Sequence, residues 1–269
     1  MKAMMALVIV AIAGLYLTAI PAFAGIAENW EFGAGLEGIA VYNYHEYNLM
    51  RLDGPQFGVY GLARYFFREV DRLEPLSAEL FLSYVRGKIT YDGSQGDEPA
   101  KGDVGNSIFN LRPLVGWTFA DITPFDISGF EVMPYSGICY RYLVNHLEDL
   151  GPGGYQREQS YLYWPLGVGA SVPLPADERL KIGCKMEFDI LLYGWHHASA
   201  KGFNHDFTQF SGYGFQFVPN IRYDFSEEFA MTAEMFWRYW SIGDSDTDGG
   251  YYEPENATSE FGFSAGVLF

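Results

Sequence analysis

Apolar and polar side chains alternate along most of this chain. From Ser259 to Phe269, the residues Phe261, Phe263, Ala265, Val267 and Phe269 share one face, and Glu260, Gly262, Ser264 and Gly266 share the other. A period of two is that of a β-strand. The same period predicts nine earlier strands, near 30–46, 56–68, 76–91, 106–119, 130–146, 159–173, 180–196, 212–224 and 229–242. The seventh is the clearest, with Ile182, Cys184, Met186, Phe188, Ile190 and Leu192 set against Lys181, Lys185, Glu187 and Asp189. The first is expected to turn Phe32, Ala34, Leu36, Ala40, Tyr42 and Tyr44 to the apolar side.

The connections alternate as well. Those near 69–75, 120–129, 174–179 and 225–228 are compact. Those near 92–105, 147–158, 197–211 and 243–257 are longer, polar and rich in glycine, and the one near 47–55 is intermediate. No helical period, repeat or linker interrupts the series. The expectation is one all-β domain over 25–269, an antiparallel barrel of about ten strands; eight and twelve are the neighbouring even numbers the pattern also allows.

Residues 1–24 read differently. Lys2 precedes an apolar run from Ala3 to Ile20, and Pro21-Ala22-Phe23-Ala24 supplies a small-residue cleavage site. This is the pattern of a cleaved signal peptide, with Gly25 the first mature residue. No later stretch is long and apolar enough for a membrane helix. Even so, the chain carries 20 Tyr, 22 Phe and 6 Trp at a mean hydropathy of −0.04. A transmembrane barrel reconciles the two, because only every second residue of its strands meets lipid. The formal charge of −17 argues against a nucleic-acid partner, since there is no basic stripe to neutralise phosphates. Cys139 and Cys184 are expected on opposite faces of strands that are not neighbours, so no disulfide is expected.

In these features the chain resembles small bacterial outer-membrane β-barrel proteins, whose closing strand ends in a Phe after alternating apolar residues. The resemblance covers the mature chain as a segment pattern. It implies an outer-membrane location with periplasmic termini. The partners it implies are outer-membrane lipids and, through the C-terminal strand, the barrel-assembly machinery. A soluble up-and-down barrel would invert the faces.

With the apolar face outside, the inward charges are Glu37, Arg64, Glu79, Arg112, Arg141, Lys185, Glu187, Asp189, Arg222, Glu234, Arg238 and Glu260. Buried charges persist when paired. Arg64 is placed to meet Glu37 and Glu79, and Glu234 lies between Arg222 and Glu260. A largely side-chain-filled polar interior with a structural or surface-interaction role is the expected outcome. A narrow cation-preferring channel is the alternative.

Two rim features bear on chemistry. Asp244, Asp246, Asp248, Gly250 and Glu255 lie in a D-x-D-x-D-G-x₅-E run with the spacing of a Ca²⁺ loop, although strands and not helices flank it. A hydrolase reading draws on Asp92, Asp97, His196, His197, His205 and Asp206, because a carboxylate-oriented histidine acts as a general base. Omptins, ten-stranded outer-membrane proteases, carry acidic residues and an Asp–His pair at the outer rim. This chain lacks their close Asp pair in the second outer loop and has no Asp-x-His near 190–200.

Overall fold

The computed structural model describes residues 29–47, 49–68, 73, 75–95, 98–120, 128–200 and 202–269. The expected signal peptide, the cleavage point at Gly25 and Asp97 lie outside the described residues. Ten antiparallel strands form a closed ring: β1 (Trp30–Glu46), β2 (Met50–Phe66), β3 (Leu76–Gln95), β4 (Glu98–Trp117), β5 (Glu131–Gly137 and Cys139–His146), β6 (Gln156–Leu174), β7 (Asp177–Ala200), β8 (Phe203–Gln209 and Gly212–Asp224), β9 (Ala230–Ile242) and β10 (Asn256–Leu268). Each strand pairs with its chain neighbours, and β10 closes on β1 with Leu36 opposite Ala265. Two backbone bonds between Phe32 and Phe269, of 2.7 and 2.8 Å, finish the seam. A ring leaves no unpaired edge.

The apolar face is outside. Leu36, Phe57, Leu82, Val115, Ile138, Leu166, Phe188, Phe217, Trp237 and Phe263, drawn from all around the ring, are exposed. Beyond them at the turn end lies an aromatic girdle, in which Trp30 meets Tyr65 at 5.0 Å and Tyr223 meets Phe225 at 4.7 Å. An apolar band edged by aromatics is how a barrel meets a bilayer. Phe188→Glu is therefore expected to weaken the refolded barrel by about 1–2 kcal/mol, since a mid-belt carboxylate costs less than a guanidinium. Ser199→Glu, above the belt, is expected to change little. Urea midpoints in lipid vesicles measure both, and equal effects would show that the belt does not face lipid.

The strands outrun the membrane. A spanning strand needs about 9–11 residues, whereas β7 has 24 and β3 and β4 have 20 each. Much of the segments expected as loops near 92–105 and 197–211, and the end of that near 147–158, is strand instead, and β2 begins at Met50. Polar residues can still pair as strands when the hairpin below sets their register. Asp92 lies opposite Lys101 and His197 opposite Asp206 in these extensions. The wall above the belt is polar on its outer side.

One register shift corrects the expected facing of β1. A bulge between Ile39 and Val41 leaves Ala40 and Val41 both exposed. Beyond it the alternation is inverted, and Tyr42 and Tyr44 point inward with 1% exposure each. Cys139 is buried, Cys184 is half-buried, and both are free thiols.

Candidate functional site

The bore contains three zones. At the turn end it is charged. Arg64 binds Glu79 at 2.5 Å and Glu31 at 2.8 Å, and Arg222 shares Glu31 at 2.6 Å. Arg112 meets Glu187 at 2.6 Å, Lys185 meets Glu234 at 3.0 Å and Arg238 meets Glu37 at 3.0 Å. Arg141 holds Glu260, whose other oxygen lies 3.7 Å from Arg238. Asp189 is buried, and its Oδ1 has no hydrogen-bond partner among the described residues.

Two expected pairings are corrected. Arg64 takes Glu31 rather than Glu37, because Glu31 stands directly opposite it and Glu37 faces Gly58. Glu234 takes Lys185 on β7, across β8, rather than Arg222, which is drawn to Glu31 and Asp224. A cavity of about 70 Å³ lies among Glu79, Arg112, Lys185, Gln216, Glu234 and Arg238. A smaller one of about 10 Å³ borders Asp189, roughly the room one water needs.

Above the charges the bore is packed mainly with apolar side chains, with the buried Gln56, Asn106, Gln159, Asn256 and Thr258 among them. Ile39, Tyr42, Leu52, Val85, Ile89, Ile108, Leu143, Trp240 and Ile242 are buried and pack as one cluster. The inward side of the strand extensions supplies much of it. Val85, Ile89, Ile108, Leu143, Trp240 and Ile242 lie on the bore side of strands that the alternation predicts, whereas Leu52 falls in an expected connection and Tyr42 lies past the β1 bulge.

On that layer sits the largest fully buried side chain among the described residues. Arg157, from the first turn of β6, has no exposed surface. Its Nη2 reaches Glu46 at the end of β1, Glu253 from the β9–β10 loop, and the Tyr44 hydroxyl. Its Nε donates to His196 Nε2 at 3.2 Å, its Nη1 lies 3.7 Å from the Met50 sulfur, and the guanidinium stacks 4.7 Å from the Tyr44 ring. Tyr44 donates to Glu46 at 2.6 Å. Because His196 Nε2 accepts, its proton is on Nδ1, which lies 3.1 Å from Glu253 Oε1 but off the hydrogen-bond direction. One cation thus serves two carboxylates and ties together β1, β2, β6, β7 and the last loop.

These groups stand above the apolar belt, and their protonation follows from burial. Burial raises Glu46 to about 7, with Arg157 pulling it down and Glu253 pushing it up. Burial also raises Glu253. Burial, and then the Arg157 charge, hold His196 well below its ordinary value. None of Glu46, Arg157 and Glu253 was singled out from the sequence. Arg157 fell in an expected loop, yet Arg157, Gln159 and Tyr161 continue the inward face of β6, which is the signal that would have found it.

The rim residues are arranged otherwise than the motif suggested. Asp246 accepts from the Thr208 hydroxyl at 2.6 Å and its amide at 2.7 Å, bonds that hold its carboxyl below the ordinary value. Asp244 accepts from the Glu255 amide at 2.7 Å, and Asp248 pairs with His205 at 2.9 Å. Gly249 and Gly250, at φ 58° and 89°, form the turn of a small ribbon in which Asp248 faces Tyr251. Asp244, Asp246, Asp248, Gly250 and Glu255, the residues of the expected Ca²⁺ loop, thus lie in and beside a hairpin whose aspartates are bonded to three residues, Glu255, Thr208 and His205. No three acidic, His or Cys side chains among the described residues gather into a cation site. His197 pairs with Asp206 at 2.8 Å on the outer side of the wall. His196 faces the bore, so the two adjacent histidines do not share a site.

No family model and no curated protein sequence matches the chain. Solved structures do. The outer membrane protease OmpT from Escherichia coli superposes with a TM-score of 0.58 at 11% identity, over 90% of this chain and 96% of that one. The translocator domain of autotransporter NalP from Neisseria meningitidis gives 0.44 at 12% identity, over 98% and 97%. A major outer membrane protein from Thermus thermophilus gives 0.41 at 14%, over 89% and 99%. At these identities the likeness is one of architecture: the chain has the fold of small bacterial outer-membrane β-barrel proteins.

Proposed function

We propose that this chain is a closed outer-membrane barrel with a structural or surface-interaction role, and that it does not conduct. The observation that carries this reading is the stack of buried side chains across the bore. Paired charges are overlaid by a packed, mainly apolar layer that also encloses amides and a hydroxyl, and that layer is overlaid by Arg157 and its partners. Hydrated ions need a continuous polar path, and the two cavities lie beneath the apolar layer. The long hairpins face outward and the short turns and termini face the periplasm, which is the usual arrangement for the class. Outer-membrane lipids surround the belt, and the closing strand Ser259–Phe269 is the segment offered to the barrel-assembly machinery.

The two alternatives have less support. A narrow cation-preferring channel is disfavoured by the burial of the cluster that includes Ile39 and Trp240 among the described residues. The Escherichia coli neighbour is a protease by name, and a rim hydrolase here comes down to His205, which shares the bore-side face of β8 with Phe207 and lies 2.9 Å from Asp248. His196 has no exposed surface, and its Nε2 is occupied in accepting from Arg157. The His197–Asp206 pair faces away from the bore.

Planar-bilayer recording on the refolded protein tests the proposal. Silence from a folded, heat-modifiable barrel is expected. Steady ohmic steps would overturn it and make the inward charges a selectivity set.

A further inference from the structure

The packed layer of the bore is crossed by a polar seam. On the wall of β1, Tyr42 stands opposite Glu260, and the next inward residue, Tyr44, belongs to the Arg157 group. On the facing wall, Tyr161 stands opposite Arg141, and the next inward residues of β6 are Gln159 and then Arg157. Arg141 and Glu260 meet across the bore. The two tyrosines therefore flank that link, and Tyr42, Tyr44 and Tyr161 belong to one buried cluster. The lower ionic link and the upper one are thus a single inward step apart on β1.

The seam is short of hydrogen bonds. Glu260 Oε2, the Tyr42 and Tyr161 hydroxyls and Gln159 Nε2 are buried and have no hydrogen-bond partner among the described residues. A buried polar group left so costs stability, which an ordered water relieves. A bridging water takes about three polar partners, and these groups, set between two ionic links, supply them.

Solvent approaches both ends. Side-chain exposure along the lower bore falls from 33% at Lys185 to 13% at Arg238 and 4% at Arg141, so water enters from the turn end. The small cavity bordering Asp189 continues that approach to Arg141 and Trp240. At the other end, 8% of the Glu46 side chain and 10% of that of Glu253 are exposed.

We propose that the barrel passes protons while excluding ions, along hydrated hydroxyl, amide and carboxylate groups that join Glu46 and Glu253 to Glu260. The inference rests on the closed-barrel reading. An ion crossing the layer needs its hydration shell replaced, and the buried cluster around Ile39 and Trp240 opposes that. A proton needs only a hydrogen-bonded file: one is taken up by a carboxylate at one end as another is released at the other. Arg141 and Arg157 keep their protons and orient the carboxylates. Each is neutralised, by Glu260 and by Glu46 with Glu253, so neither raises the barrier that a bare arginine sets against protons. Near neutral pH protons are too dilute for such a path to give single-channel steps, so it is compatible with electrical silence.

Refolded protein in tight lipid vesicles loaded with a pH-reporting dye provides the test. After an external pH step, with a K⁺ carrier present to balance charge, the internal pH is expected to relax faster than in protein-free vesicles. Tyr42→Phe/Tyr161→Phe removes two oxygens and little volume. It is expected to slow the protein-dependent relaxation about tenfold, the rate equivalent of roughly one hydrogen bond. Tyr60→Phe, at a buried tyrosine outside the seam, is expected to leave the rate unchanged. Relaxation no faster than in protein-free vesicles would overturn the inference, as would equal rates for the parent and the double variant. Release of trapped K⁺ without the carrier would instead overturn the closed-barrel reading, and with it the exclusion of ions. Heat-modifiability reports separately that each variant has folded.

Discussion

Arg157→Met is expected to destabilise the barrel by about 3–5 kcal/mol, the usual cost of removing one partner from a buried ionic group. The substitution takes away the cation that serves Glu46 and Glu253 and leaves both carboxylates enclosed among Tyr44, Met50 and His196. Methionine fills much of the volume, so lost packing is the smaller part. The loss is therefore expected to reverse in large measure when the carboxylates are neutralised as well. Arg157→Met with Glu46→Gln and Glu253→Gln should recover most of the wild-type urea midpoint, and that non-additivity is the signature of one coupled group. A single-variant loss below about 1 kcal/mol would mean that water reaches the guanidinium.

The ring and its lipid face were legible from period two alone. Ile182 to Leu192 on β7 and Phe261 to Phe269 on β10 needed nothing else, because in each the apolar set faces lipid and the polar set faces the bore without interruption. The misreadings have two physical sources. A bulge adds a residue without leaving a mark in an alternation, so Tyr42 and Tyr44 were assigned to the wrong side of β1. Strand extensions in water need no apolar outer face, so Asp92, Lys101, His197 and Asp206 looked like loop although their register was already fixed by the hairpins beneath. Ion pairing across a bore depends on the stagger of strands that are distant in sequence. Hence the Arg157 group, built from five segments, was not visible, whereas Glu31 rather than Glu37 takes Arg64 through the β1–β2 register alone. The acidic run at 244–255 had the right spacing for a cation, but a Gly-Gly turn and nearby donors such as Thr208 gave its carboxylates other partners.

Stability should fall as pH rises in the parent protein, because the two carboxylates of the Arg157 group, Glu46 and Glu253, act in one sense and His196 alone acts in the other. Glu46 is raised from 4.5 to about 7 in the folded state. The stability it contributes is fully present below its unfolded value and is lost as pH rises through 7, a loss of about 2–3 kcal/mol between pH 5 and 8. His196 is held well below 6.5. The unfolded chain takes a proton there more readily than the folded chain, so its part rises with pH. The part of Glu253, also raised by burial, falls with that of Glu46. The wild-type urea midpoint is therefore expected to fall from pH 5 to 8. Glu46→Gln removes one falling part and should make that slope shallower. His196→Gln removes the rising part and should make it steeper. Tyr44, Tyr161 and Arg157, which also face the group, do not change charge in this range. Two variants diverging in opposite directions from the parent slope would show that both groups are buried against one guanidinium. Three parallel profiles would mean that Glu46 and His196 titrate in water, and that the mouth of the barrel is open.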